Sequence, residues 1–97
     1  MILHCVHLAL SDGYDRAELA DVMGGLSELA PLQHGPNRDF EGKSQGFPYG
    51  FVARFNDAEA VARYAEDPVH KALGARLCEL CDGGADGIVV YDLEVAA

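Results

Sequence analysis

The alternation of apolar and polar positions predicts four strands and two helical regions along the chain. Residues 2–10 alternate with a period of two, which is typical of a strand, and Ser11-Asp12-Gly13 then forms a turn. Apolar positions at helical spacing follow, from Leu19 to Leu29. The remaining predicted strands run from Leu32 to Gly35, from Phe47 to Phe55 and from Ile88 to Val95.

Capping patterns place the helix boundaries. Asp15 is expected to cap the first helix, with Glu18 completing a capping box three residues later. Asn56 and Glu59 repeat that pattern before the second helical region, which runs to about Glu66.

The second helical region is expected to break at Asp67-Pro68 and to restart there, because Asp67 is suited to a helix cap and Pro68 to a first helical position. The restarted helix is expected to end at Gly83-Gly84. Its apolar stripe is formed by His70, Leu73, Leu77 and Leu80.

The order β-α-β-β-α-β predicts an α+β ferredoxin-like fold, with a four-stranded antiparallel sheet and two helices on one face. A single domain spans residues 1–97. The first strand is apolar or small on both faces, with Leu3, Cys5 and His7 on the face opposite His4. Two helices cannot cover both faces of the sheet. The pattern therefore predicts a homodimer in which the uncovered faces of two sheets pack together.

Charge and composition exclude several functions. The net charge is −9, and the seven basic residues are scattered, which argues against nucleic acid and anionic membrane surfaces as partners. No apolar stretch approaches the roughly 20 residues that span a bilayer. The first residues lack the features of a signal peptide, so a cytoplasmic protein is expected.

Three cysteines are expected to be free thiols rather than a disulfide framework. Cys78 and Cys81 have the spacing of zinc or redox pairs, but they fall near a helix C-terminus, which suits neither. No set of metal ligands stands out. Residues 36–47 form a loop that is long for a compact domain, which indicates either a functional or a mobile segment.

Histidine chemistry is the main functional signal. An imidazole titrates near neutral pH, so His70 is a candidate general base, or else a hydrogen-bonded structural residue near a helix start. His4 lines an apolar strand face and is either a core or a pocket residue. Tyr64 could orient His70 across the interruption or simply pack in the core. Tyr49 could donate a hydrogen bond to a ligand carbonyl or serve packing only.

Other polar and aromatic positions have simpler interpretations. Phe51 is expected in the core or in a pocket wall, and His7 at the interface between sheets. His34 and Asp92 are expected to be solvated.

Four segments together resemble the stress-responsive A/B barrel (Dabb) domain. They are Met1–Leu8, Tyr49–Phe55, Tyr64–His70 and Ile88–Glu94, which occur in the family's order over nearly the whole chain. The resemblance implies a dimeric α+β barrel. It also implies a small, mainly apolar pocket between sheet and helices.

One branch of that family closes linear polyketides by aldol condensation without metal or organic cofactor. The resemblance implies His70 as the base, Tyr64 as its support and His4 as pocket lining, with Tyr49 and Phe51 contacting the ligand. Tyr49 replaces a further pocket histidine of that branch, and Asp67 replaces the first histidine of its His-Pro-x-His motif.

The implied function is small-molecule binding, with cofactor-free acid/base chemistry on a ketone- or polyketide-like compound. Two alternatives stay open. One is a non-catalytic stress or carrier protein, and the other is a cofactor-independent monooxygenase.

Overall fold

A computed structural model describes all 97 residues as one antiparallel sheet with three helices. The spatial strand order is β2-β3-β1-β4, which confirms the predicted ferredoxin-like fold. None of the helices has the length and apolar character needed to cross a bilayer. The strands are β1 (Ile2–Leu8), β2 (Leu32–Pro36), β3 (Tyr49–Phe55) and β4 (Ile88–Glu94); the helices are α1 (Arg16–Ser27), α2 (Ala58–Glu66) and α3 (Pro68–Glu79), and a 3-10 helix (Gly84–Gly87) precedes β4.

The register of the sheet separates an inner face, which the helices cover, from an outer face. On central strand β1, His4 lies opposite Ala53 of β3 and Asp92 of β4. Val6 and Leu8 share the inner face with His4 and are buried in a single apolar core with residues of the helices. The site described below therefore lies at one end of this core.

Only half of the predicted capping box at α1 forms. The Asp15 side chain accepts a hydrogen bond from the backbone N–H of Glu18, as predicted. The Glu18 carboxylate, however, binds the guanidinium of Arg76 on α3, which also contacts Asp21. This bidentate contact holds the pKa of Glu18 below its usual range. The carboxylate that could have closed the box instead joins two helices.

Two predicted helix boundaries are wrong. Asp57, not Asn56, caps α2, and its side chain accepts a hydrogen bond from the backbone N–H of Ala60. Asn and Asp cap equally well, so the sequence leaves a one-residue ambiguity here. Helix α3 ends at Glu79, before Gly83-Gly84. The chain leaves the helix early because the carbonyl of Leu80 accepts a hydrogen bond from the backbone N–H of Ser11, beyond β1.

Among the glycines, Gly87 is the position at which the Cβ of an alanine would come closest to other atoms. A Cβ at this position would overlap with the backbone carbonyl oxygen of Asp82. Gly87→Ala is expected to lower the free energy of unfolding by about 1–3 kcal/mol, because backbone must shift to relieve the overlap. Urea unfolding measures the change.

Gly74→Ala is the matched control, since a Cβ there meets no atom within 4 Å. Gly74 lies in α3, where alanine is favoured over glycine by about 1 kcal/mol, so this variant should be more stable than the wild type. Equal stability of the two variants would contradict the steric argument.

Candidate functional site

The interruption between α2 and α3 brings Tyr64 and His70 together. Asp67 ends α2 by donating its backbone N–H to the carbonyl of Tyr64, and its side chain caps α3 by accepting from the N–H of Val69. In an unbroken helix, residues six apart lie about 120° apart around the axis. Here the chain turns, and the two rings pack against each other with centroids 4.2 Å apart and planes tilted by 44°. The predicted break at Asp67-Pro68 is confirmed.

Tyr64 also reaches the sheet. Its ring centroid lies 5.7 Å from that of His4 and 5.0 Å from that of Phe55, both edge-on or tilted. His4 in turn lies 6.5 Å from the ring of Phe51. The structure thus places His4, Tyr64 and His70 in one aromatic cluster between β1, β3 and the α2–α3 junction, next to the core residue Phe51.

Two polar atoms of this cluster are buried without a hydrogen-bond partner. They are the hydroxyl oxygen of Tyr64 and Nδ1 of His70. A buried polar group without a partner costs about 1–3 kcal/mol, so such groups in folded proteins call for an explanation. They belong to neighbouring rings, so the two unpartnered atoms lie at one place in the fold.

Burial fixes the protonation states that these two groups prefer. It raises the pKa of Tyr64 to about 12, so the phenol keeps its proton at neutral pH and can donate a hydrogen bond. Desolvation also lowers the pKa of His70, and the nearby carbonyl of Ala65 opposes that effect in part. His70 therefore favours the neutral imidazole, which can accept a proton.

His4 has a partner that the sequence did not reveal. Its Nδ1 lies 2.6 Å from a carboxylate oxygen of Asp92 on β4. A carboxylate only accepts hydrogen bonds, so Nδ1 of His4 carries a hydrogen and donates it to Asp92. Asp92 is exposed, as predicted, with 48% of its side chain accessible, but it also orients the His4 imidazole, which the sequence did not predict.

The lowered pKa of His70 predicts a pH dependence of stability. Between its folded pKa and the unfolded value near 6.5, the unfolded chain binds more protons, so acidification favours unfolding. The stabilising contribution is complete above pH 6.5 and is lost as the pH falls through the folded pKa. His70→Gln should therefore lose less stability than the wild type between pH 7.5 and 5.5 in urea unfolding. His34→Gln, at an exposed position, should keep the wild-type slope.

The other predicted ligand contact, Tyr49, lies elsewhere. It pairs with Leu8 at the far end of β1, whereas His4 pairs with Ala53. The Tyr49 hydroxyl and Nδ1 of His34 are 2.7 Å apart, and His34 is exposed as predicted. Burial raises the pKa of Tyr49. The structure therefore separates Tyr49 from the cluster around His70.

A cleft of about 370 Å³ opens beside Tyr64. Its lining includes Ala60 and Arg63 of α2, together with Phe55 at the end of β3 and Asp67 at the helix junction. Tyr64 is the one member of the His4–Tyr64–His70 cluster that lines this cleft; His4 and His70 do not line it.

The outer face of the sheet carries a larger groove of about 660 Å³. His7 lies in it between Phe47 and Tyr91, with ring centroids 5.9 and 5.2 Å away. Cys5 also lines the groove. The cysteines are all free, and no group of three or more His, Cys, Asp or Glu side chains is arranged to hold a metal ion.

The sequence profile of the Stress responsive A/B Barrel Domain matches residues 2–95. The chain belongs to this family. Among curated protein sequences, none matches the sequence of this chain significantly. Several solved structures match the chain. A dimeric ferredoxin-like protein of unknown function from Jannaschia sp. CCS1 is 42% identical, with a TM-score of 0.89 over 97% of this chain and 98% of that one.

Two plant proteins share the fold of the A/B barrel domain at lower identity. An Arabidopsis thaliana protein is 20% identical, with a TM-score of 0.83 over 100% of this chain and 97% of that one. A hydroxynitrile lyase from Passiflora edulis is 15% identical, with a TM-score of 0.78 over 98% of this chain and 93% of that one. At these identities the likeness concerns the fold alone.

Proposed function

We propose that this A/B barrel domain binds a small carbonyl compound at the His4–Tyr64–His70 cluster and transfers protons to and from it without a cofactor. The observation that carries the proposal is the pair of buried, unpartnered atoms, the Tyr64 hydroxyl and His70 Nδ1. At neutral pH the Tyr64 hydroxyl is a donor, and the neutral His70 imidazole offers Nδ1 as an acceptor in the tautomer that carries its hydrogen on Nε2. A ketone with an acidic neighbouring C–H group complements both.

The proposed proton transfer follows from the protonation states of His70 and Tyr64. The neutral His70 imidazole takes a proton from the carbon next to the carbonyl, and the electron pair of that C–H bond moves onto the carbonyl oxygen. The Tyr64 hydroxyl donates a hydrogen bond to the resulting enolate oxygen. A positioned base of this kind contributes about 10²–10⁴-fold in rate, and burial strengthens the hydrogen bond to the enolate.

The enolate carbon can then react in two ways. It can attack a second carbonyl of the same molecule, forming a C–C bond, and the alkoxide takes back the proton from His70. Without a second carbonyl it regains a proton from His70. His4, held by Asp92, lies beside the ring of Tyr64 and is the third polar side chain of the proposed site.

Proton exchange tests the proposal without knowledge of the natural substrate. Acetophenone in D₂O loses its methyl proton signal in NMR spectra as enolisation exchanges the protons for deuterium. The wild type should accelerate this loss, and His70→Gln should reduce the acceleration at least about 10²-fold. His34→Gln is the matched control and should behave as the wild type. Acceleration that survives His70→Gln would remove His70 from the mechanism.

The same samples separate catalysis from mere binding. A non-catalytic carrier would show ligand-dependent thermal stabilisation with a panel of aryl ketones, but no proton exchange above the buffer rate. That result would contradict the catalytic part of the proposal while leaving ligand binding at the cluster in place.

We also propose that the chain is a homodimer that buries the outer face of its sheet. Arg54 is the single charged side chain on that face, in a chain with 7 basic and 16 acidic residues. Tyr91 and Leu93 are 54% and 51% exposed there in the single chain. Apolar, charge-depleted surfaces are typical of subunit interfaces, and the Jannaschia protein is described as dimeric.

A further inference from the structure

Two thiols, those of Cys78 and Cys81, lie at the C-terminal end of α3 and have no role in the proposed function. Cys78 lies one residue before the end of the helix, and Cys81 lies two residues beyond it. Both are free; Cys78 is partly exposed and Cys81 is buried. The third cysteine, Cys5, lines the groove on the outer face of the sheet, whereas α3 covers the inner face. Cys78 and Cys81 therefore form a separate pair of nucleophilic groups.

The last turn of α3 tightens and brings the two cysteines together. The backbone N–H of Leu80 donates to the carbonyl of Leu77, and that of Cys81 donates to the carbonyl of Cys78 at 3.1 Å. Both bonds link residues three apart, which is the 3-10 pattern, in which side chains at positions i and i+3 lie on the same side. A turn closed in this way keeps its first and fourth Cα atoms within about 7 Å, and a disulfide usually spans about 4.4–6.8 Å between Cα atoms. The backbone of this turn therefore suits a disulfide.

Hydrogen bonds to the segment after β1 hold this turn in place. The backbone N–H of Ser11 donates to the carbonyl of Leu80, and the N–H of Asp82 donates to the carbonyl of Ala9, so both chain neighbours of Cys81 are anchored. The Ser11 hydroxyl also donates to the carboxylate of Asp82 at 2.7 Å. Because the fold already orders this backbone, little further conformational entropy is lost when the two sulfurs join.

The two thiols differ in their environments, which sets the order in which they would react. Burial raises the pKa of Cys81, and the neighbouring Cys78 raises it further. Cys78 is the more exposed of the two, so a disulfide in solution reaches its sulfur first. A helix C-terminus lacks the dipole that makes the thiols of redox enzymes acidic, but the distance between two thiols does not depend on that dipole. The site therefore suits oxidation of the protein itself rather than catalysis of thiol exchange.

We infer that Cys78 and Cys81 form a reversible disulfide by exchange with a small disulfide such as oxidised glutathione. The Cys78 thiolate attacks one sulfur of the glutathione disulfide, and one glutathione thiolate leaves. The Cys81 thiol then loses its proton and attacks the Cys78 sulfur of the mixed disulfide, and the second glutathione leaves. The protein gives up two hydrogens, and the glutathione disulfide is reduced to two thiols. Neither cysteine belongs to the His4–Tyr64–His70 cluster, so the disulfide does not depend on the proposed function.

Peptide mass spectrometry after incubation of the folded protein with excess glutathione disulfide tests the pair. The tryptic peptide of residues 77–97 contains both thiols, whereas Cys5 falls in the peptide of residues 1–16. Peptide 77–97 should lose two hydrogens, and the matched control Cys5→Ala should give the same result. Cys81→Ala should instead retain glutathione on Cys78, because no second thiol displaces it. A wild-type peptide 77–97 that stays reduced, or that keeps bound glutathione, would overturn the inference.

Urea unfolding measures whether the fold favours the disulfide. A disulfide that closes so short a loop constrains the unfolded chain, and a turn of suitable geometry adds no strain to the folded one. Oxidation of the Cys5→Ala protein should therefore raise the ratio of folded to unfolded chains about 10-fold. By linkage, exchange with glutathione should favour the disulfide in the folded protein over the urea-unfolded chain by the same factor. An oxidised protein that is no more stable than the reduced one would show that the turn strains the bond, and it would overturn a disulfide site built into the fold.

Discussion

Tyr64→Phe should yield a protein that is more stable than the wild type and much less active. The Tyr64 side chain is 6% exposed, and its hydroxyl is buried without a partner. Removing the hydroxyl relieves a desolvation penalty and keeps the ring packed on His70, so the free energy of unfolding should rise by about 1 kcal/mol. The same change removes the hydrogen-bond donor for the enolate, which should slow proton exchange by about 10²–10³-fold.

Urea unfolding and acetophenone exchange, measured on the same preparation, give both quantities. Tyr14→Phe is the matched control, because Tyr14 is only partly buried and lies outside the cluster; it should change neither quantity appreciably. A Tyr64→Phe protein that is less stable than the wild type and exchanges protons equally fast would show that the hydroxyl serves packing alone.

Val52→Asp should convert the homodimer into folded monomers. Val52 lies on the outer face of β3, between Cys5 of β1 and Gln33 of β2. In the dimer the new carboxylate would be buried without a partner, at a cost of several kcal/mol, which corresponds to a rise of at least about 10³-fold in the dissociation constant. In the monomer it faces water and should leave the fold unchanged.

Light scattering reports the mass, which should fall from twice the chain mass of 10.4 kDa to that mass, and circular dichroism reports the fold. Val69→Asp makes the same change on the exposed side of α3 and should remain dimeric. A Val52→Asp protein that keeps the doubled mass would place the interface elsewhere.

Local signals in the sequence predicted the fold well where a residue's effect is confined to its neighbours. The Asp67-Pro68 interruption was predicted, because a cap and a proline act on the helix that contains them. The ferredoxin-like fold class also followed, since few topologies suit this succession of elements. The resemblance to the A/B barrel family agreed with both.

Signals that depend on distant partners were missed. Asp92 was predicted to be solvated because nothing near it in the chain marks it as a partner of His4, 88 residues away. Glu18 was assigned to its own helix, although Arg76 binds it more strongly. The early end of α3 depends on hydrogen bonds to the residues after β1. In each instance a tertiary contact outcompeted a local one.

The contact between the Tyr64 and His70 rings is set by a few consecutive residues around one proline. The walls of the adjoining space, by contrast, come from β3 and the ends of the helices. Substitutions in those walls would therefore alter which molecules fit while the donor and the acceptor keep their mutual distance. In the proposed function, the choice of ligand and the proton transfer therefore depend on different residues.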